Sequence, residues 1–149
     1  MARVLIDVSA AGEDWLKDAV NEIRNSANVT FLYSDHEKYK KEVVNHPFLG
    51  KFLQLMKTLG KREDTDPGVC AKIIANLEDN PAWVGAEECD DPHIFAIAYQ
   101  KPNAFVFTSD KRLARCKVKM KDALDKHHRR FTTIQSKANF DANEQLIRA

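Results

Sequence analysis

Four carboxylates in this chain stand where chemistry could be done. Asp7 closes the apolar run Val4-Leu5-Ile6, and Asp91, with Asp90 before it, opens the apolar stretch Pro92-His93-Ile94-Phe95-Ala96-Ile97-Ala98-Tyr99. Asp110 follows the run Phe105-Val106-Phe107 through Thr108-Ser109, and Glu42 shares a helix face with Tyr39 and Val43. An acid directly after a buried strand is costly unless its charge is offset. Two carboxylates about 5 Å apart repel by roughly 3 kcal/mol at an effective dielectric near 20. A fold that gathers several of them therefore needs a cation. Hard oxygen ligands with few His or Cys favour Mg²⁺ or Mn²⁺. Such an ion can orient and deprotonate a water and offset charge on a phosphate.

Each acid also has a plainer reading. Asp91-Pro92 is the usual helix cap followed by a first-turn proline, and Asp66-Pro67 repeats it with no chemistry assigned. Asp110 precedes a helix and can cap it. Glu42, with Lys38 one turn before it, can be an ordinary surface residue. Asp7, at a strand end near the core, is the hardest to explain that way.

The elements that must position these residues are legible from periodicity. Strands are expected at 3–7, 29–33, 105–108 and 131–134. Helices are expected at 13–25, from a cap at Ser34 or Asp35 to Asn45, from Pro47 to Gly60, and from Asp66-Pro67 to Asn80-Pro81. Further helices are expected at 91–100, in pieces through 111–127, and at 138–148. Residues 61–66 read as a charged loop, and the helices between Tyr33 and Glu87 as a lobe beside the sheet. Alternating strands and helices imply an α/β domain, with a mostly parallel sheet of four to five strands between helical layers. In such a sheet, ligands bind at one rim.

The 149 residues suit a single domain, 1–149, able to bury a core without staples. No apolar run approaches the roughly 20 residues needed to cross a bilayer, and the first strand starts too soon for a signal peptide. The three cysteines, Cys70, Cys89 and Cys116, show no close spacing. That argues against a disulfide frame or a zinc site and for a cytoplasmic protein. Net charge is only +1, yet residues 111–130 hold nine Lys/Arg against two acids. Such a segment can hold a polyanion locally or form a solvated face.

With these residues in place the chain resembles the PIN-domain family of metal-dependent nucleases, over most of its length and most clearly at its two ends. Asp7-Val8-Ser9 is similar to the family's first motif, an Asp closing strand one with a hydroxyl residue two positions on. Ser34 followed by Glu42 is similar to the second in one subgroup, with Glu37 as the alternative acid. Asp91 through Ala96 and Ala98 matches D-x-x-x-x-A-x-A, and Thr108-Ser109-Asp110 with Leu113 matches T-x-D and its following leucine. Val8-Ser9-Ala10 departs from the commoner Thr-Asn or Thr-Ser pair, and Asp90 adjoins Asp91.

The resemblance implies a three-layer α/β/α domain and an endoribonuclease that uses Mg²⁺ or Mn²⁺. Asp7, Glu42, Asp91 and Asp110 would hold the metal, supported by Ser9, Thr108 and Asp90. Lys111, Arg112 and Arg115 would hold RNA phosphates. A small PIN protein is often the toxin of a toxin–antitoxin pair, which implies an antitoxin partner, and the family often forms homodimers. The alternative is a PIN-like module without catalysis that binds RNA or protein. Haloacid-dehalogenase-like phosphatases need an acid where Ser9 stands, and response-regulator receivers need an acidic pair after strand one. No G-x-S-x-G occurs, and the five glycines do not cluster into a phosphate loop.

Overall fold

The structure is a computed structural model that describes residues 1–120 and 130–149. The part of the basic segment from Lys121 to Arg129, and the end of the helical stretch expected over 111–127, lie outside the described residues. The chain runs β1 (Ala2–Ile6), α1 (Val8–Ala11), α2 (Asp14–Ile23), β2 (Val29–Ser34), α3 (Glu37–Asn45), α4 (Pro47–Thr58) and β3 (Arg62–Thr65). It continues with α5 (Pro67–Glu78), α6 (Pro81–Val84), α7 (Pro92–Ala98), β4 (Ala104–Phe107), α8 (Lys111–Met120), β5 (Phe131–Ile134) and α9 (Lys137–Arg148).

The strands form one sheet in the order β3-β2-β1-β4-β5, every neighbouring pair parallel. Parallel neighbours need helical crossovers, and these cover both faces of the sheet. On one face Phe107 stacks on Trp15 of α2 and meets the edge of Phe140 of α9, while Phe31 meets Phe52 of α4. On the other, Phe131 meets Phe95 of α7, and α5 packs over α7. The result is the expected three-layer α/β/α arrangement. Central β1 and β4 are the enclosed strands, with Val4, Leu5 and Ile6 essentially without solvent contact and every residue of β4 buried. Its C-terminal end, beside that of β4, forms the rim where Asp7 and residues 108–110 lie.

Local signals account for most boundaries. Leu59 caps α4, and Gly60 follows in the left-handed region at φ 71°. There the Lys61 N–H reaches back to Met56 O at 2.8 Å, a closure that favours glycine. Asn103 turns the chain from α7 into β4 at φ 57°.

Three expectations are corrected. Residues 62–65 form an edge strand rather than a charged loop, so the region expected as a separate lobe returns to the sheet. Period 2 is present in β3 but carried by charge: Arg62 pairs with Asp64 at 2.8 Å and covers the Tyr33 ring at 4.1 Å. Between them, Glu63 binds Arg3 of β1 and Lys101, each at 3.0 Å. Helix α3 is preceded by His36 rather than capped by Ser34 or Asp35, and the Ser34 hydroxyl accepts from the His36 N–H. Cys89 and Cys116 form a disulfide, 27 residues apart in sequence. They meet because the segment before α7 lies along α8, a proximity that spacing does not reveal. The disulfide also removes the argument for a reducing compartment drawn from cysteine usage. Among the described residues, no helix is long and apolar enough to cross a membrane.

Candidate metal centre

Parallel pairing sets Ile6 beside Phe107, and the Asp7 N–H continues the ladder to Phe107 O at 2.9 Å. Asp7 is therefore fixed by backbone, and it is 4% exposed. Its charge is met by two hydroxyls: Ser9 Oγ and Thr108 Oγ1 each donate to Asp7 Oδ2 at 2.7 Å. Both bonds fall on Oδ2, so among the described residues Oδ1 takes no hydrogen bond. The same hydroxyls organise the next turn. Ser9 Oγ accepts from the Ser109 N–H at 3.1 Å, and Thr108 Oγ1 from the Asp110 N–H at 3.0 Å.

The turn after β4 thus presents Asp110 beside the segment that leads into α7. One oxygen each from Asp90, Asp91 and Asp110 lie within 4.8 Å of one another. Burial, and then the charge of Asp7, hold the Asp91 carboxyl above its usual range, with His93 and Lys38 pulling the other way. Cations already face this group. Arg112 reaches Asp90 at 3.0 Å and Asp110 at 3.3 Å, and Lys38 lies 3.6 Å from Asp91.

The chain's two Asp-Pro dipeptides differ in whether the aspartate caps its helix. At Asp66-Pro67 the Asp66 Oδ1 accepts from the Gly68 N–H at 2.7 Å and the Val69 N–H at 3.3 Å. At Asp91-Pro92 the same dipeptide opens α7, but the Asp91 side chain makes no capping hydrogen bond. Its carboxylate turns to the acidic group instead. Asp110 does cap in part, since its Oδ1 accepts from the Arg112 N–H at 2.9 Å.

Asp7 and Glu42 lie outside this group of three. Glu42 Oε1 is 2.5 Å from Nε2 of His93, which is 1% exposed. Despite the proximity, neither atom makes a well-formed hydrogen bond. Between Asp7 and Glu42 sits Tyr39, whose hydroxyl donates to Ile6 O at 2.9 Å. Burial, then the charges of Asp7 and Glu42, push that phenol far up, so it stays protonated. Glu37, the alternative acid, is exposed at the start of α3. Lys111, Arg112 and Arg115 lie on exposed positions of α8. Arg112 is engaged by the acids, whereas no ion pair holds Lys111 or Arg115 among the described residues.

Sequence reasoning set Lys38 beside Glu42, whereas it faces Asp91, and it did not single out His93 or the pairing of Cys89 with Cys116. A lone imidazole in an otherwise apolar helix was the available signal for His93. Three clustered carboxylates, all oxygen donors, could hold a metal ion. No protein-family model, curated protein or solved structure matches this chain.

Proposed function

We propose that this protein is a Mg²⁺- or Mn²⁺-dependent endoribonuclease of PIN type. The carrying observation is Asp91, which leaves its own helix uncapped and clusters with Asp90 and Asp110. Asp90, Asp91 and Asp110 would hold the metal, with Asp7 and Glu42 at its margin in direct or water-mediated roles. When bound, the ion would supply an activated water and offset charge on a phosphodiester. The chain's own residues do the rest. Ser9 and Thr108 hold the Asp7 carboxylate in place, and Tyr39 supports the floor as a neutral donor. Lys111 and Arg115 offer sequence-independent phosphate contacts, and Arg112 becomes available once a cation takes over the acids. A toxin role, an antitoxin over the acidic rim and a homodimer rest on the family resemblance alone.

The test is RNA hydrolysis with Mg²⁺ or Mn²⁺ by wild type, Asp91→Asn and Asp7→Asn, with contaminating nucleases controlled. Metal-dependent cleavage should be lost in both variants while circular dichroism is unchanged. Equal cleavage by all three would refute the assignment. The contact of Glu42 with His93, away from the three clustered acids, favours the second reading, a non-catalytic RNA- or protein-binding module. RNA binding without metal-dependent cleavage would select it.

A further inference from the structure

The residues just before the acidic group are fastened to α8 at three consecutive positions. Glu88 pairs with Lys119 at 2.9 Å, Cys89 is disulfide-bonded to Cys116, and Asp90 pairs with Arg112 at 3.0 Å. On α8 the partners stand at i, i+4 and i+7, a single stripe of the helix, and residues 88, 89 and 90 follow it in order. This seam joins the two arms of the site. Asp90 and Asp91 directly follow Cys89, and α8 begins directly after Asp110.

The links differ in strength. Lys119 and Arg112 each keep about half of their side-chain surface in solvent. Such pairs contribute little and are screened by salt. Two backbone hydrogen bonds in the segment, Ala86 N–H to Trp83 O and Cys89 N–H to Ala86 O, are local to its own turn and do not reach α8. The covalent bond is the firm link, and it works against the mutual repulsion of Asp90, Asp91 and Asp110.

We propose that the Cys89–Cys116 disulfide is a redox control on cation binding at the acidic group. This rests on the metal reading given above. Oxidised, the bond holds Asp90 and Asp91 against Asp110. Reduced, repulsion opens the seam and cation affinity falls. The reductant is a dithiol. One thiolate attacks Sγ of Cys89, the less buried residue of the pair, and expels Cys116 as thiolate. The second thiolate then attacks the reductant's own sulfur in the mixed disulfide and releases Cys89. Two electrons pass to the protein sulfurs, two protons from the dithiol end on them, and the reductant leaves as a disulfide. Coupling is reciprocal, so a bound cation makes the bond harder to reduce.

The experiment uses the full chain and reads binding rather than cleavage. Mn²⁺ affinity is measured by calorimetry for the oxidised protein and for C89S/C116S, which needs no thiol reagent, with circular dichroism as the folding control. Affinity weaker by about tenfold or more in the folded variant is expected, the scale of a typical coupling between sites. In a second measurement the oxidised wild type is titrated with dithiothreitol with and without Mg²⁺, a poor ligand for thiols. The half-reduction point should move to higher dithiol with Mg²⁺ present, and this readout decides the matter if the variant does not fold. Equal Mn²⁺ affinity in both folded states, or a half-reduction point indifferent to Mg²⁺, overturns the redox control and leaves the metal site standing. No Mn²⁺ binding in either state overturns both.

Discussion

Asp91 is a carboxylate whose ionised form the fold disfavours. Burial and the charge of Asp7 raise its folded-state pKa above the ordinary 3.8. Its ionised form is therefore worse off in the folded chain than in the unfolded one. Stability from this group is fully present below the unfolded pKa and is lost as pH rises through the raised folded value. Asp91→Asn should accordingly raise the melting temperature at pH 7 in metal-free buffer. The gain is under about 1 kcal/mol, since the group is partly solvated, and amounts to a few degrees. It should vanish below about pH 4 and shrink when Mg²⁺ is added to the wild type. Calorimetry across that range checks the sign, and a variant less stable than wild type at pH 7 would refute it. Cys70 offers a second contrast at this scale. Burial pushes its thiol up to about 11, against a smaller opposing effect of Ser34. It should resist alkylation in the native chain and react on unfolding.

At the scale of elements, the polar edge strand β3 and the basic helix α8 carry the testable content. Glu63 is pushed up by burial, but hydrogen bonds and charges from Lys101 and Arg3 more than offset this and hold it below its usual range. Stability from such a group is present above the unfolded pKa and lost as pH falls through the folded one. Glu63→Gln should cost about 0.5–1 kcal/mol at pH 7, discounted for partial exposure, and almost nothing near pH 3. Urea denaturation at the two pH values reads the difference. On α8, Arg112 is already committed to Asp90 and Asp110, so Lys111 and Arg115 are the cleaner probes of RNA contact. Charge reversal at both should weaken RNA binding and flatten its salt dependence by about two phosphate contacts. Unchanged binding would move the RNA surface elsewhere.

For the whole molecule, the disulfide is the largest single departure from expectation. It closes a loop between residues 27 apart, so chain-entropy reasoning assigns it roughly 3 to 4 kcal/mol. Cys116→Ser should lower the unfolding free energy by an amount of that order under non-reducing conditions. Added reductant should bring wild type towards the variant. Coincident stabilities without reductant would mean that the bond does not constrain the unfolded chain.

The amino-acid pattern alone determined the α/β class, the helices opened by Pro47, Pro67 and Pro92, and the candidate acids Asp7, Asp90, Asp91 and Asp110. These rest on local physics: apolar periodicity, proline geometry, and the cost of a charge at a buried strand end. Tertiary structure alone decided matters between residues distant in sequence. It made a strand of Arg62–Thr65, because an edge strand satisfies its charges with side chains from β1 and the turn before β4. It turned Asp91 away from its cap while leaving Asp66 in place, although the two dipeptides are identical. It set Glu42 against His93, and it joined Cys89 to Cys116. In each case the outcome depends on which partner the fold brings within a few ångströms, and spacing along the chain carries no record of that distance.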